Sequence, residues 1–196
     1  MEYLFGFNVR KVSFGFSLIE LIIVILVITI MSVIALPKFL NIQKDAQISI
    51  LDNFSGSFKT LTDMVYAKAV LQNKEKLSNV SVSINNKNIN TYFGVPQEIW
   101  NNALGELLNS DIYYSGNGYY DYNGGNTADT VVCTQASICV IDQTPSSTIK
   151  SGLAGWGMFF FPKGRTLADD CYAYYSFSQD GSKITFKEID TVIVGC

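Results

Sequence analysis

Residues 16–36 read FSLIELIIVILVITIMSVIAL, an apolar run in which Glu20 is the only charged side chain. At about 1.5 Å of rise per residue, a helix of this length reaches roughly 30 Å, the depth of a bilayer's hydrocarbon core. The run is therefore expected to cross a membrane. Arg10 and Lys11 precede it and Lys38 and Lys44 follow it, so the charge asymmetry that orients a span is weak. A carboxyl group a few residues inside such a helix costs about 1 to 3 kcal/mol. A plain anchor gains nothing from that cost, so Glu20 is expected to have a partner. The run is also longer than the apolar core of a secretory signal and continues past Pro37 into more helical sequence, so the segment is expected to be retained.

The rest of the composition excludes more than it selects. Apolar residues make up 48% of the 196-residue chain, enough to bury the core of one ordinary domain. Histidine is absent, which removes the commonest general base and metal ligand and every imidazole-dependent triad. The net charge of -3 offers no basic excess to neutralise nucleic-acid phosphates. From Lys76 onward, seven Lys or Arg stand against eleven Asp or Glu, which argues against a DNA-uptake role. No enzyme activity, cofactor or nucleic-acid partner is expected. The cysteines, Cys133, Cys139, Cys171 and Cys196, include no C-x-x-C pair, so zinc is disfavoured. An even count downstream of an apolar export-type segment points to two disulfides formed in an oxidising compartment, with three connectivities open.

Beyond Pro37 the apolar residues Leu51, Phe54, Phe58, Leu61 and Val65 recur three or four apart, with Asp52, Lys59, Asp63 and Lys68 between them. That spacing is one face of an amphipathic helix. The simplest architecture is one helix from about Phe16 to Gln72, membrane-bound in its first half, whose second half needs a sheet to cover its apolar face. Gly56 within it is expected to mark close packing or a bend. From Glu75 the composition turns to Asn, Gly, Ser, Tyr and Thr, and the hydrophobic period shortens toward two. Val80, Val82 and Ile84 alternate ahead of a turn at Asn85-Asn86-Lys87-Asn88 that leads into Ile89, and Pro96 is placed to open a short helix reaching about Asn109. A long loop is expected next, then strands at 130–142, 155–161, 171–178, 183–188 and 191–195. Asp180-Gly181 is the clearest hairpin signal. Residues 155–162 (GWGMFFFP) are expected to form a core or interface strand, and Asp169-Asp170 a solvated turn.

Gly15 to Leu21, GFSLIEL, resembles the cleavage and methylation motif of type IV prepilins. The resemblance implies a leader over residues 1–15, cut between Gly15 and Phe16 by an inner-membrane prepilin peptidase that also N-methylates Phe16. It further implies that Glu20 pairs, during assembly, with the positive amine of a neighbouring subunit, in low dielectric where such a pair offsets much of both burial costs. Pro37 stands where the family commonly has a helix-kinking proline, and it lacks the N–H that would bond the Val33 carbonyl. The implied fold is α+β: a transmembrane and polymerisation helix (16–36), its amphipathic continuation (37–74), and a globular antiparallel-sheet head (75–196). The favoured disulfides are local. They join Cys133 to Cys139, and Cys171 to Cys196, the latter resembling the C-terminal disulfide loop of type IV pilins.

The segments 84–96 and 171–196, and the helix between them, narrow the resemblance toward the mannose-sensitive haemagglutinin pilins of marine Gammaproteobacteria. The head departs from these through the Cys133 and Cys139 pair and through residues 111–129, DIYYSGNGYYDYNGGNTAD. Tyr113, Tyr114, Tyr119, Tyr120 and Tyr122 there form a candidate adhesive surface for a glycan or protein receptor, against the alternative of a solvated loop that packs on neighbouring subunits. Asp121, Asn123, Asn126 and Asp129 do not match the helix-loop-helix calcium spacing, and no metal is expected. The implied role is a subunit of an adhesive surface filament. Its partners are other copies, the peptidase and an inner-membrane assembly platform. The precursor is expected in the inner membrane with its head in the periplasm, and the product outside the cell. The alternatives are a minor pilin or a type II secretion pseudopilin, which share the first helix.

Overall fold

The computed structural model describes residues 15–101, 103–108, 111–118 and 130–196, with the side chains at 36–41 outside what is described. The chain divides into two compact units, Met1–Gln43 and Lys44–Cys196. Helix α1 is assigned at Leu18–Leu71, close to the bounds that the apolar spacing predicts.

In the first unit the window Leu18–Ala35 has a mean hydropathy of 3.0 and none of it is buried. An apolar surface on every side, with no protein cover, suits lipid rather than a soluble core. The polar side chains within this window are satisfied locally, as a hydrocarbon environment requires. The Thr29 and Ser32 hydroxyls donate to the carbonyls of Leu26 and Ile28 at 2.7 and 2.8 Å. The assigned helix runs through Pro37, whose side chain lies outside those described, and so does its expected kink.

The second unit is the head. From Lys44 onward, α1 buries Leu51, Phe54, Phe58, Leu61, Val65 and Ala69, the predicted stripe extended by one turn. Asp52, Lys59, Asp63 and Lys68 stay exposed on the other side. Gly56 is exposed, and a Cβ added there would meet nothing within 4 Å, so the expected close packing is absent.

Two sheets accompany the helix. The smaller is an antiparallel set of β1 (Val80–Ile84), β2 (Lys87–Tyr92) and β3 (Val95–Pro96). Asn85 and Asn86, at φ 48° and 64°, make the two-residue turn between β1 and β2, a conformation that asparagine tolerates well. The outer edge of β1 is occupied by Gln72, whose amide both donates to and accepts from the Ser83 backbone at 2.8 and 3.2 Å.

The larger sheet runs in chain order: β4 (Ile112–Asn117), β5 (Ile138–Pro145), β6 (Trp156–Pro162), β7 (Tyr172–Gln179) and β8 (Ile184–Val192). All pairs are antiparallel except β4 with β5, which is parallel. The helix-facing side presents Ile138, Val140, Met158, Phe160, Ala173, Tyr175 and Phe177. The opposite side presents Cys139, Ile141, Phe159, Phe161, Tyr172 and Tyr174, covered in part by Cys133, Leu153 and Leu167. Because both faces are covered, β6 reads as an unbroken apolar run rather than an alternating one. Aromatic rings lock helix to sheet: Phe54 and Phe58 lie 4.4 and 5.3 Å from Phe160, and Phe58 lies 5.5 Å from Tyr175.

Several expectations are corrected. The helix predicted from Pro96 to Asn109 is, among the described residues, only a 3-10 turn at Leu104–Glu106. Pro96 instead ends β3, paired with Thr91. Trp100 gives its backbone N–H to the Asp142 carboxylate, and its indole fills the space where a Cβ on residue 105 would stand. Tertiary contacts thus take the groups that a helix would use. The strand predicted at 130–142 starts only at Ile138, because Cys133 is held by the turn opposite: its N–H donates to the Arg165 carbonyl at 2.9 Å. The two predicted strands at 183–188 and 191–195 are one, pairing with β7 from Gln179 to Tyr172. Ile112–Asn117, expected as loop, is the sheet's parallel edge strand. The Asp180-Gly181 turn forms as predicted, with the Asp180 carboxylate accepting from the backbone of Ser182 and Lys183 at 2.9 and 3.0 Å.

Candidate functional site

The candidate site is the start of α1. Gly15, Phe16 and Ser17 precede the helix without regular structure, and Phe16 is 83% exposed. Ser17 is positioned as the N-cap: its carbonyl accepts the first helical bond, from Leu21 N–H at 3.2 Å. Glu20, three residues on, accepts the Ser17 backbone N–H at 3.0 Å through Oε2. That is the acidic half of a capping box, and it places a carboxylate at the positive end of the helix dipole. The carboxyl group expected to need a partner therefore holds one N–H within its own chain, and its second oxygen is directed to no described group in the pattern of hydrogen bonds. A Cβ on Gly15 would meet nothing within 4 Å. Among the described residues, packing places no demand for glycine at that position.

The head contributes the disulfides and the tyrosines. Cys133 pairs with Cys139 and Cys171 with Cys196, the favoured connectivity. Arg165 links the two regions, since its carbonyl accepts from Cys133 and its guanidinium donates to the Cys196 backbone oxygen at 2.8 Å and to Gln47 at 3.1 Å. Of the candidate adhesive residues, Tyr113 is exposed on β4. Tyr114 is half-buried and packs on the core, its hydroxyl donating to Asp142 Oδ1 at 3.0 Å. Tyr119, Tyr120 and Tyr122 lie outside the described residues, as do Asp121, Asn123, Asn126 and Asp129. Among the described residues no group of three or more metal-ligating side chains comes together.

Sequence reasoning missed two head carboxylates. Asp142 is buried and ties three segments together, accepting from Trp100 N–H at 2.8 Å and from Tyr114. Burial raises its pKa, partly countered by those hydrogen bonds. The pKa of Glu98 is raised too, first by burial and further by Asp142. The signal for Asp142 was present: Ile138, Val140 and residue 142 share one strand face by period two, so a carboxylate had to enter the core.

Over residues 10–36 the chain matches the family model of the prokaryotic N-terminal methylation motif. The chain matches no curated protein and no solved structure. This motif, at the head of an uncovered apolar helix that is followed by an α+β head, supports a type IV prepilin-like precursor of the pilin or pseudopilin kind. The motif implies processing by prepilin peptidase and assembly into a pilus-like polymer, and together with the apolar helix it fits anchoring at the inner membrane.

Proposed function

We propose that the chain is the structural subunit of a type IV pilus of the mannose-sensitive haemagglutinin kind, assembled into an extracellular filament for adhesion. The precursor is cut between Gly15 and Phe16, methylated at Phe16, and held in the inner membrane with its head in the periplasm until the assembly platform adds it to the filament. Exposed tyrosines such as Tyr113 then face the glycan or protein to which the cell attaches.

The observation that carries this reading is the pairing of an unpacked Gly15-Phe16 junction with a lone carboxylate at the start of an uncovered apolar helix. No described residue packs against position 15, so glycine there suits an external surface, and an extended backbone in a protease cleft supplies one. Glu20 accepts one N–H from its own helix, yet a full negative charge in lipid calls for more than one neutral donor. The amine freed by cleavage on another copy supplies the countercharge.

Shearing cells and separating the released filaments by electrophoresis tests the role. The wild-type polypeptide should dominate the sheared fraction. Glu20→Val should be processed and membrane-inserted but leave few or no filaments. Wild-type filament numbers from Glu20→Val would remove the pairing. A wild-type chain that stays in the envelope, with export of other proteins depending on it, would replace the pilus with the pseudopilin alternative.

A further inference from the structure

We propose that the head carries a binding site for an organic ammonium group, in the cleft where Tyr92 and Glu98 face the ends of β6 and β7. The cleft measures about 320 Å³ and its wall includes Tyr92, Glu98, Trp156, Phe177, Ser178 and Gln179. That is the lower end of the range for small-molecule pockets, about 300 Å³ and upward. Three of the six side chains are aromatic. Tyr92 and Phe177 lie 6.1 Å apart between ring centroids, and Trp156 is the cross-strand partner of Phe177 with 37% of its surface exposed. The backbone turns into this rim at Gly155, at φ +77°, where a Cβ would stand 2.0 Å from the Phe177 carbonyl oxygen. No other residue type allows the strand to start so close to its neighbour.

The charge inside the cleft selects the ligand. Glu98 is fixed from behind, its carbonyl accepting Gln143 N–H at 3.2 Å. Its Oε2 is buried with no hydrogen-bond partner. The ion pairs among the described residues join Lys87 to Glu106 and Lys187 to Asp63, and neither reaches Glu98. The titratable groups that face it are Asp142 from β5, Tyr175 from β7 and Tyr92 from β2, none of them cationic. An acid whose charged neighbour is another acid, beside the faces of tryptophan and tyrosine, gives a field that favours a cation and disfavours an anion. A neutral sugar could stack on the rings, but it would leave the carboxylate uncompensated. A choline headgroup and a lysine side chain both carry the required group. The inference stands on the head alone, independent of how the chain is cut or polymerised.

The test is a tryptophan-fluorescence titration of the full chain in a neutral polyoxyethylene detergent, with choline, n-butylammonium and 3,3-dimethyl-1-butanol, the uncharged carbon isostere of choline. Saturation by either cation, about tenfold tighter than the alcohol, is expected, and the ratio between the cations assigns a quaternary or a primary ammonium source. Glu98→Gln should bring the cation down to the affinity of the alcohol while the near-UV circular dichroism is kept. In the wild type the cation affinity should fall as pH is lowered through the titration of Glu98, and in Glu98→Gln it should stay flat. Equal affinity for choline and its isostere, an unchanged cation affinity in Glu98→Gln, or no saturable response would each overturn the site.

Discussion

Replacing Phe58 by alanine should uncouple the fold of the head from the processing of the stem. The Phe58 side chain is 1% exposed, and its ring lies 5.3 Å from Phe160, 5.5 Å from Tyr175 and 5.7 Å from Phe54. Truncation of a buried phenylalanine costs about 3 to 5 kcal/mol in lost transfer energy and residual cavity. Each aromatic pair adds about 0.5 to 1.5 kcal/mol beyond area burial, so the loss should fall at the upper end, near 4 to 5 kcal/mol. Against a stability of about 5 to 15 kcal/mol for a typical domain, that is a large fraction. The assay is guanidinium unfolding of the full chain in micelles, followed by near-UV circular dichroism. The midpoint should drop with the slope unchanged. Cleavage after Gly15 should proceed normally, because that junction belongs to the other compact unit, whereas filament yield should fall. A loss under about 1 kcal/mol would refute the assignment of Phe58 as the ring that joins helix to sheet.

The two disulfides should differ in weight. Removing the Cys171–Cys196 pair, which spans 25 positions, should cost about 3 to 4 kcal/mol, and removing Cys133–Cys139, which spans six, about 2 kcal/mol; the reverse order in denaturant midpoints would contradict the loop-closure account. Burial raises the folded pKa of Glu98 above its ordinary carboxyl value of 4.5, so its contribution to stability is fully present below about that pH and is lost as pH rises through the folded value. Glu98→Gln should therefore be more stable than wild type at neutral pH, with a shallower decline across that window. Part of the slope should remain, because Asp142 is shifted in the same direction. A variant less stable than wild type at neutral pH would reverse the argument. Gly15→Val should fold normally, with residues 1–15 still attached by mass spectrometry; normal trimming would remove the assigned cleavage site.

What the sequence made legible follows the range of the interactions involved. The helix stripe from Leu51 to Val65, the β1–β2 turn and the Asp180-Gly181 turn depend on neighbours within a few residues; the stripe and the second turn form as read, and the first is tighter than read, with Lys87 and Asn88 already paired in β2. The N-terminal methylation motif was readable because its signature is a short contiguous run, which the family model matches within residues 10–36. Strand β4 was not readable: its parallel partner begins at Ile138, beyond a long crossover, and its glycines and asparagines resemble a loop. The helix expected after Pro96 failed for a similar reason. The acceptor that claims the Trp100 N–H is Asp142, 42 positions away. Spacing alone does not report such a bond.

Sequencing the amino end of the subunit from sheared filaments, with an intact mass of the same material, tests the central claim most directly. The account predicts that the chain begins at Phe16 and that this residue carries one methyl group on its amine. Filament subunits that begin at Met1, or at any position other than Phe16, would contradict it.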